Sequence, residues 1–428
     1  MRFALINPSW NFEGSIYFGC REPHLPLELG YSKALLEQHG HECILVDGQL
    51  DQLTQEEVVE QVRRFHPDFS VVTTAPSYLF WRCAPPEIRV PQQLCERLRP
   101  FGGKIVIVGP HGSTTPRPVL KKTGADYVVL GECEEVLPRL AEDIDSLSSV
   151  AYRREDQIII KGPNGASDMS RLPALSWPKE TIQRHRHHHH RFDTEPRAPG
   201  AEMEASRGCP YHCTFCAKDN FRNNYRKRPL PVILKELDAL IKSGIEYLYF
   251  IDEIFLPDTA LLAALAQRKI KIGVQTRIDL WKEDAIEGLA RAGCVSIEAG
   301  VESITEAGRA YLDKKCKMST EELTGRLVFA KKLVPFVQAN LLAMTEDDAE
   351  VVEGWRKKLE GHGVWANKPV PLFPYPGSPE YTRMWGAPDD LAWERAHSAY
   401  LNGFDAFSDI QEQRPQALVE LETLSSGR

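Results

Sequence analysis

Apolar residues in the first third of the chain fall into short runs, each followed by a stretch with helical spacing. The runs are Phe3 to Ile6, Cys43 to Val46, Phe69 to Thr73, Ile105 to Val108 and Tyr127 to Leu130. Rich in Val and Ile and mostly without polar alternation, they predict strands covered on both faces, as in a parallel sheet with helices on either side. Each stops at turn-forming residues: Asn7-Pro8, Asp47-Gly48, Thr74-Ala75, Gly109-Pro110 and Gly131-Glu132. Ligands of such sheets collect at these strand ends. The first strand is separated from a helix starting near Leu27 by far more residues than the usual ~4–6. That connection carries Trp10, Tyr17, Phe18, Arg21 and His24, suited to covering a large planar ligand or to packing as a surface loop.

After residue 145 the rhythm changes. Ser149 to Ile160 alternates around Arg154-Glu155-Asp156 and predicts a hairpin, followed by Gly162-Pro163-Asn164-Gly165. Residues 146–198 therefore read as a linker, with a tract of His185, His187, His188, His189 and His190 expected to be solvated and to bind metal only incidentally. The strand-helix alternation resumes with Glu202 to Ser206, Tyr247 to Ile251, Lys271 to Thr276, Val295 to Ala299, Phe336 to Leu342 and Val364 to Val370. Gly244 and Gly293 close two of the helices, and Thr345 with Asp348 predicts a capping box opening another. The expected fold class is α/β: a doubly wound five-stranded parallel sheet over residues 1–145, then a partial (β/α)6 barrel over 199–385 and a carboxyl-terminal extension over 386–428. Reactive residues of such a barrel sit at the carboxyl ends of its strands.

The chain has 428 residues, enough for more than one core, and its 42% hydrophobic and 26% charged residues are those of a globular protein. No apolar run approaches the ~20 residues of a membrane span, and the opening Met-Arg-Phe-Ala-Leu-Ile-Asn-Pro lacks the shape of a signal peptide. Ten unevenly spaced cysteines in that context imply a reducing, cytoplasmic setting and thiolate chemistry. A net charge of -8 gives no general attraction for phosphate backbones, so no nucleic-acid partner is expected. The one basic run, Arg222 to Arg228, reads as a solvated loop.

Directly after the first barrel strand stands Ser206-Arg207-Gly208-Cys209-Pro210-Tyr211-His212-Cys213-Thr214-Phe215-Cys216. Three thiolates in the order C-x3-C-x2-C can hold three irons of a 4Fe-4S cluster, leaving the fourth iron without a protein ligand. A zinc site would need a fourth ligand, and no second cysteine pair follows.

These residues resemble the radical S-adenosylmethionine superfamily, down to the aromatic Phe215 before the last cysteine, over about Pro199 to Trp385. The resemblance implies that S-adenosylmethionine chelates the open iron, and that one electron from the cluster cleaves it to a 5'-deoxyadenosyl radical that removes hydrogen from an unactivated carbon. It also implies cofactor contacts along the barrel. Phe250 with Asp252 and Glu253 would face the methionine amino group, Gln275 and Arg277 its carboxylate, and Glu302 in Glu-Ala-Gly-Val-Glu-Ser the ribose hydroxyls. The fifth strand, running into Ala343-Met344-Thr345, lacks the Gly-Pro-Gly turn common in the family. Aromatic residues Phe373, Tyr375, Tyr381 and Trp385 would either line the cavity or close the barrel.

The sheet ahead of the barrel resembles the cobalamin (B12)-binding domain of one branch of this superfamily. The matching strand-end positions are Asn7 and Pro8, Thr74 and Ser77, Gly109 and His111, and Gly131 and Glu132. No D-x-H-x-x-G string occurs, so histidine is not expected below the corrin. A competing assignment is a methylthiotransferase with a second cluster on Cys20, Cys43 and Cys83, but Cys43 begins a strand, at the edge away from the ligand-bearing ends. The expected activity is methylation of an unactivated carbon of a small molecule or natural product by methylcobalamin, with an electron donor such as flavodoxin or ferredoxin. Rearrangement, cyclisation or another transfer is the alternative within the branch, and a cobalamin carrier or sensor the alternative outside it.

Overall fold

A computed structural model of the chain describes all residues except 17–21, 78–83, 141, 143, 187–196, 223, 346, 404–413 and 424–428. Tyr17, Phe18, Cys20, Arg21, Cys83 and the histidines 187 to 190 lie outside the described residues.

The amino-terminal strands are β1 (Arg2–Asn7), β2 (Glu42–Asp47), β3 (Phe69–Thr73), β4 (Lys104–Val108) and β5 (Tyr127–Val129), all parallel and ordered β2-β1-β3-β4-β5. The strand period of two sorts their side chains. Ala4 and Ile6 pack with Val58, Val62 and Leu94 on one face, while Phe3 and Leu5 pack with Leu29 and Leu36 on the other. The sheet does not stop at five strands. The expected hairpin forms as β6 (Val150–Arg154) and β7 (Gln157–Lys161) and joins β5 antiparallel, giving seven.

Helix α1 (Leu27–Gln38) is buried on nearly every side. Leu29 and Leu36 face the sheet, whereas Leu27, Tyr31 and Leu35 belong to the barrel's core. A helix between two cores needs apolar residues all round. The stretch read as a solvated linker is also packed: Met169, Leu172, Leu175 and Ile182 join the same barrel core, and His185 is wholly buried.

The barrel strands are β8 (Gly200–Met203), β11 (Tyr247–Phe250), β12 (Lys271–Thr276), β13 (Cys294–Glu302), β14 (Phe336–Leu341) and β15 (Trp365–Ala366), parallel and in sequence order. Between the first two, β9 (Ser206–Arg207) and β10 (Arg226–Lys227) form a short antiparallel pair. Gly244 and Gly293 close their helices at positive φ, as expected. The predicted capping box shifts: Asp348 itself caps helix Ala349–Gly361, accepting from the amides of Glu350 (2.9 Å) and Val351 (3.0 Å). The extension supplies helices Ala392–Asn402 and Leu418–Thr423, and the former packs its Ala392, Ala396 and Tyr400 against Phe373 and Tyr381. Among the described residues no helix is long and apolar enough to cross a membrane.

Candidate active site at the cysteine loop

The loop carrying Cys209, Cys213 and Cys216 leaves the barrel after β8 and is pinched at its base by the β9–β10 pair. Gly208 begins it at φ +77, where an added Cβ would stand 2.1 Å from the Asn224 carbonyl oxygen, so only glycine fits. The loop is anchored on its far side as well. The Thr214 amide donates to Leu312 (3.0 Å), and the Glu380 amide donates to the Thr214 carbonyl (2.8 Å). His212, the one further metal-ligand type within the motif, turns outward to Asp219 at 2.9 Å.

Burial raises the pKa of all three thiols, that of Cys216 to about 12, and nearby cations work against this. Lys218 acts on Cys209 and Cys216, and Lys314 and Arg277 act on Cys213. A thiolate-ligated cluster is a buried anion, and such cations are the surroundings it requires. Among the described residues no three Cys, His, Asp or Glu side chains converge to hold one metal ion. A four-iron cube instead takes one thiolate on each of three irons, so the donor set fits the cluster.

The barrel residues divide into those that build the loop and those that face the space beside it. Asp252 accepts from the Ala205 amide (3.1 Å) and the Ser206 hydroxyl (2.5 Å), and Glu253 accepts from the Gly208 amide (2.8 Å). Both carboxylates thus staple the loop's entrance rather than stand open to an ammonium. Burial lifts the Asp252 carboxyl to about 7. Phe250 is in the core, against Phe255. Phe215 and Gln275 are half-buried. Arg277 lies under the Tyr211 ring at 4.1 Å and pairs with Asp279 at 2.7 Å, while its Nη1 is buried without a hydrogen-bond partner. A buried guanidinium nitrogen left over is a place for a carboxylate.

Glu302 holds the left-handed conformation (φ +60) at a bulge in the β13–β14 register. Gly300, two residues earlier, makes room for it, since a Cβ there would stand 2.6 Å from Glu302 Oε1. Its carboxylate receives the ammonium of Lys314, which also donates to the Gly300 carbonyl (3.1 Å) and which burial lowers to about 8. Lys314 itself was not foreseen: it lies in a Lys-rich turn that resembles ordinary surface sequence.

Alternation along the strands adds a second unforeseen group. Val337, Ala339 and Leu341 pack outward into the core, which leaves Gln338 and Asn340 on the lumen side, hydrogen-bonded to each other at 2.5 Å. On β13 the same argument points Glu298 inward, where Tyr249 donates to it at 3.1 Å.

At the strand ends of the amino-terminal sheet the candidates also separate. Asn7 bridges Asp47 and the Trp10 indole, both at 2.8 Å, beside buried Pro8. Ser77 accepts from the Leu27 amide (3.0 Å) and donates to Glu28, so it fastens α1. Gly131 (φ +78) is required by Gly165, whose carbonyl would stand 2.3 Å from an added Cβ, rather than by a ligand. Glu132 faces the barrel and pairs with Arg207 (3.2 Å) and Arg226 (2.5 Å). The remaining candidates leave capacity. Thr74 Oγ1 and His111 Nδ1 are buried without partners at the ends of β3 and β4, beside Gly109 at φ +123. The other His111 nitrogen meets the Pro85 carbonyl at 2.5 Å, and its ring packs on Trp393 at 4.6 Å. Polar atoms left without partners at strand ends suit a large amide-bearing ligand such as a corrin.

The basic run corrects its reading as a solvated loop. Arg222 and Arg228 are buried, Arg228 paired with Glu236 at 2.7 Å and Arg222 with Glu28, Glu204 and Glu253.

Comparison with known proteins gives two family models: a B12 binding domain over residues 20–141 and the radical SAM superfamily over residues 203–353. An uncharacterized methyltransferase of Pyrococcus horikoshii is 20% identical over 377 residues, which cover 84% of this chain and 77% of that protein. The anaerobic magnesium-protoporphyrin IX monomethyl ester cyclase of a Synechocystis species is 25% identical over 347 residues, 77% of this chain and 66% of the cyclase. Among solved structures, the radical S-adenosylmethionine methyltransferase TsrM of Kitasatospora setae, with cobalamin and a [4Fe-4S] cluster bound, superposes with a TM-score of 0.71. The match covers 89% of this chain and 76% of TsrM at 17% identity, and therefore speaks to the fold.

Proposed function

The chain joins a B12-binding domain to a radical SAM domain and so belongs to the cobalamin-dependent radical S-adenosylmethionine enzymes, and from that premise we propose that it methylates an unactivated carbon of a small-molecule or natural-product substrate. The observation that carries the reading is the cysteine loop at the end of the first barrel strand, with the unpartnered Arg277 nitrogen beside it. When bound, the cluster and S-adenosylmethionine together supply one-electron chemistry able to take hydrogen from carbon, and cobalamin supplies a transferable methyl group.

The chain's own residues have the following roles. Cys209, Cys213 and Cys216 hold the cluster, while Asp252 and Glu253 keep the loop's entrance in place through the Ala205 and Gly208 amides. Arg277 takes the cofactor carboxylate, and Glu302, oriented by Lys314, takes the ribose hydroxyls. Thr74, Gly109 and His111 contact the corrin side chains. An electron donor such as flavodoxin or ferredoxin and a cytoplasmic setting complete the reading.

Similarity to the magnesium-protoporphyrin ester cyclase supports a second reading, ring formation without methyl transfer. Anaerobic reconstitution with iron and sulfide, then dithionite and S-adenosylmethionine, separates these possibilities. The wild-type protein is expected to release 5'-deoxyadenosine and Cys213→Ala none. A wild type that forms a cluster but releases none would sink the enzyme reading and leave a carrier or sensor. Product mass then decides, since a methylated product gains one CH2 and a cyclised one does not.

A further inference from the structure

Both ends of the cysteine loop meet at one buried guanidinium. At the entrance, the Gly208 amide donates to Glu253 Oε2 (2.8 Å), and Glu253 Oε1 faces Arg222 Nη1 at 3.3 Å. Arg222 itself lies shortly after Cys216, at the loop's exit, so a single side chain ties exit to entrance. Its Nη1 also meets Glu204 Oε1 at 2.9 Å, just past β8. Its Nη2 leaves the barrel altogether and donates to Glu28 Oε1 on α1 at 2.8 Å. The second oxygen of Glu28 takes the hydroxyl of Ser77, in the loop after β3. Arg222 is 1% exposed and Glu28 2%.

This arrangement is costly to build. Buried ion pairs repay their desolvation only when geometry is good and every partner is present, and removing one partner leaves an uncompensated charge. A neutral hydrophobic contact would hold α1 against the barrel equally well, as Leu27, Tyr31 and Leu35 already do. What the guanidinium adds is direction: a planar fork meets carboxylates on two sides at fixed angles, which a point charge such as lysine does not. The loop it fixes bears the cluster ligands.

The geometry points to Arg222 as a positioning residue for the cysteine loop, set from the amino-terminal domain by Glu28. The amino-terminal domain therefore holds the loop in shape directly, besides its part in ligand binding.

The inference rests on the functional reading only where it concerns the cluster, so the test has one arm that needs no cluster. Glu28→Gln is nearly isosteric and touches no cysteine. In hydrogen exchange on the protein as purified, peptides spanning 208–222 should exchange roughly tenfold faster in Glu28→Gln, the loss of one charge-assisted bond. Peptides of β12 and β13 should not change. In the second arm, the reconstituted clusters of Glu28→Gln and Arg222→Lys should keep the wild-type iron content, yet both should show shifted reduction potentials and electron paramagnetic resonance spectra. The double variant should add nothing to Arg222→Lys alone, because that substitution already breaks the tie to Glu28. Unchanged exchange in Glu28→Gln overturns the inference whatever the cluster does. So does a potential that moves in Arg222→Lys and stays in place in Glu28→Gln, which would make Arg222 a purely local residue. A wild type that takes up no four-iron cluster defeats the functional reading, and the exchange arm still decides on Arg222.

Discussion

Charged side chains in this molecule are defined by what burial does to them. His111 is the plainest case: desolvation pushes its pKa from 6.5 down to about 3, only partly opposed by the Pro85 carbonyl. In the folded protein the ring stays neutral over a range in which the unfolded chain binds a proton. The unfolded state thus holds more protons between about 6.5 and 3, and by linkage stability must fall as pH drops through that window. Equilibrium urea unfolding from pH 7 to pH 4 should show the wild type losing stability more steeply than His111→Gln; parallel curves would assign the acid sensitivity to other groups. The same residue shows what was legible in the sequence. Its place after β4 followed from the Val-rich run and Gly109-Pro110, but its contact with Trp393 joins residues far apart in the chain and has no local signal. The charge run at Arg222 hides its partners for a related reason. A charge run looks alike whether it meets solvent or carboxylates from another domain, and only the fold brings Glu28 and Glu132 to it.

At the scale of elements, strands are legible because short apolar runs bounded by turn residues are written in the sequence itself: β3 and β12 occupy Phe69–Thr73 and Lys271–Thr276, as those runs imply. Pairing partners were less accessible. The hairpin of β6 and β7 was visible from its alternation, but its addition to the sheet depends on the free edge of β5, which no local pattern reports. The β9–β10 clamp is only two residues per strand, too short for any periodicity. It nonetheless sets the shape of the cluster loop, and Gly208 is the residue it depends on. Gly208→Ala combines a positive φ with a Cβ 2.1 Å from the Asn224 carbonyl, so the backbone must move. The expected result is a folded protein, with unchanged far-ultraviolet circular dichroism, that retains less than about half the wild-type iron after reconstitution; full iron retention would show that the clamp tolerates displacement.

The whole molecule is braced from its carboxyl end. Trp393 donates to Thr115 at 3.0 Å and packs on His111, Lys122 pairs with Glu394 (2.9 Å) and Glu422 (2.6 Å), and the Tyr381 hydroxyl meets Arg395 at 2.7 Å. The extension, which the sequence marks only as a stretch beyond the barrel, therefore bridges the strand ends of the first sheet and the aromatic segment that follows β15. Trp393→Ala removes a nearly buried indole from that bridge and should cost about 3 kcal/mol in urea unfolding. A loss below about 1 kcal/mol would mean that the salt bridges alone maintain the brace.

Helix α1, whose two faces complete two different cores, bears on how such chains can be recombined. A chimera joined at the apparent boundary near residue 145 would import a foreign α1. Leu27, Tyr31 and Leu35 would then be replaced in a barrel core that is encoded more than a hundred residues later. The portable unit is therefore the helix together with the barrel it completes, and a workable seam runs around α1 rather than between the two domains.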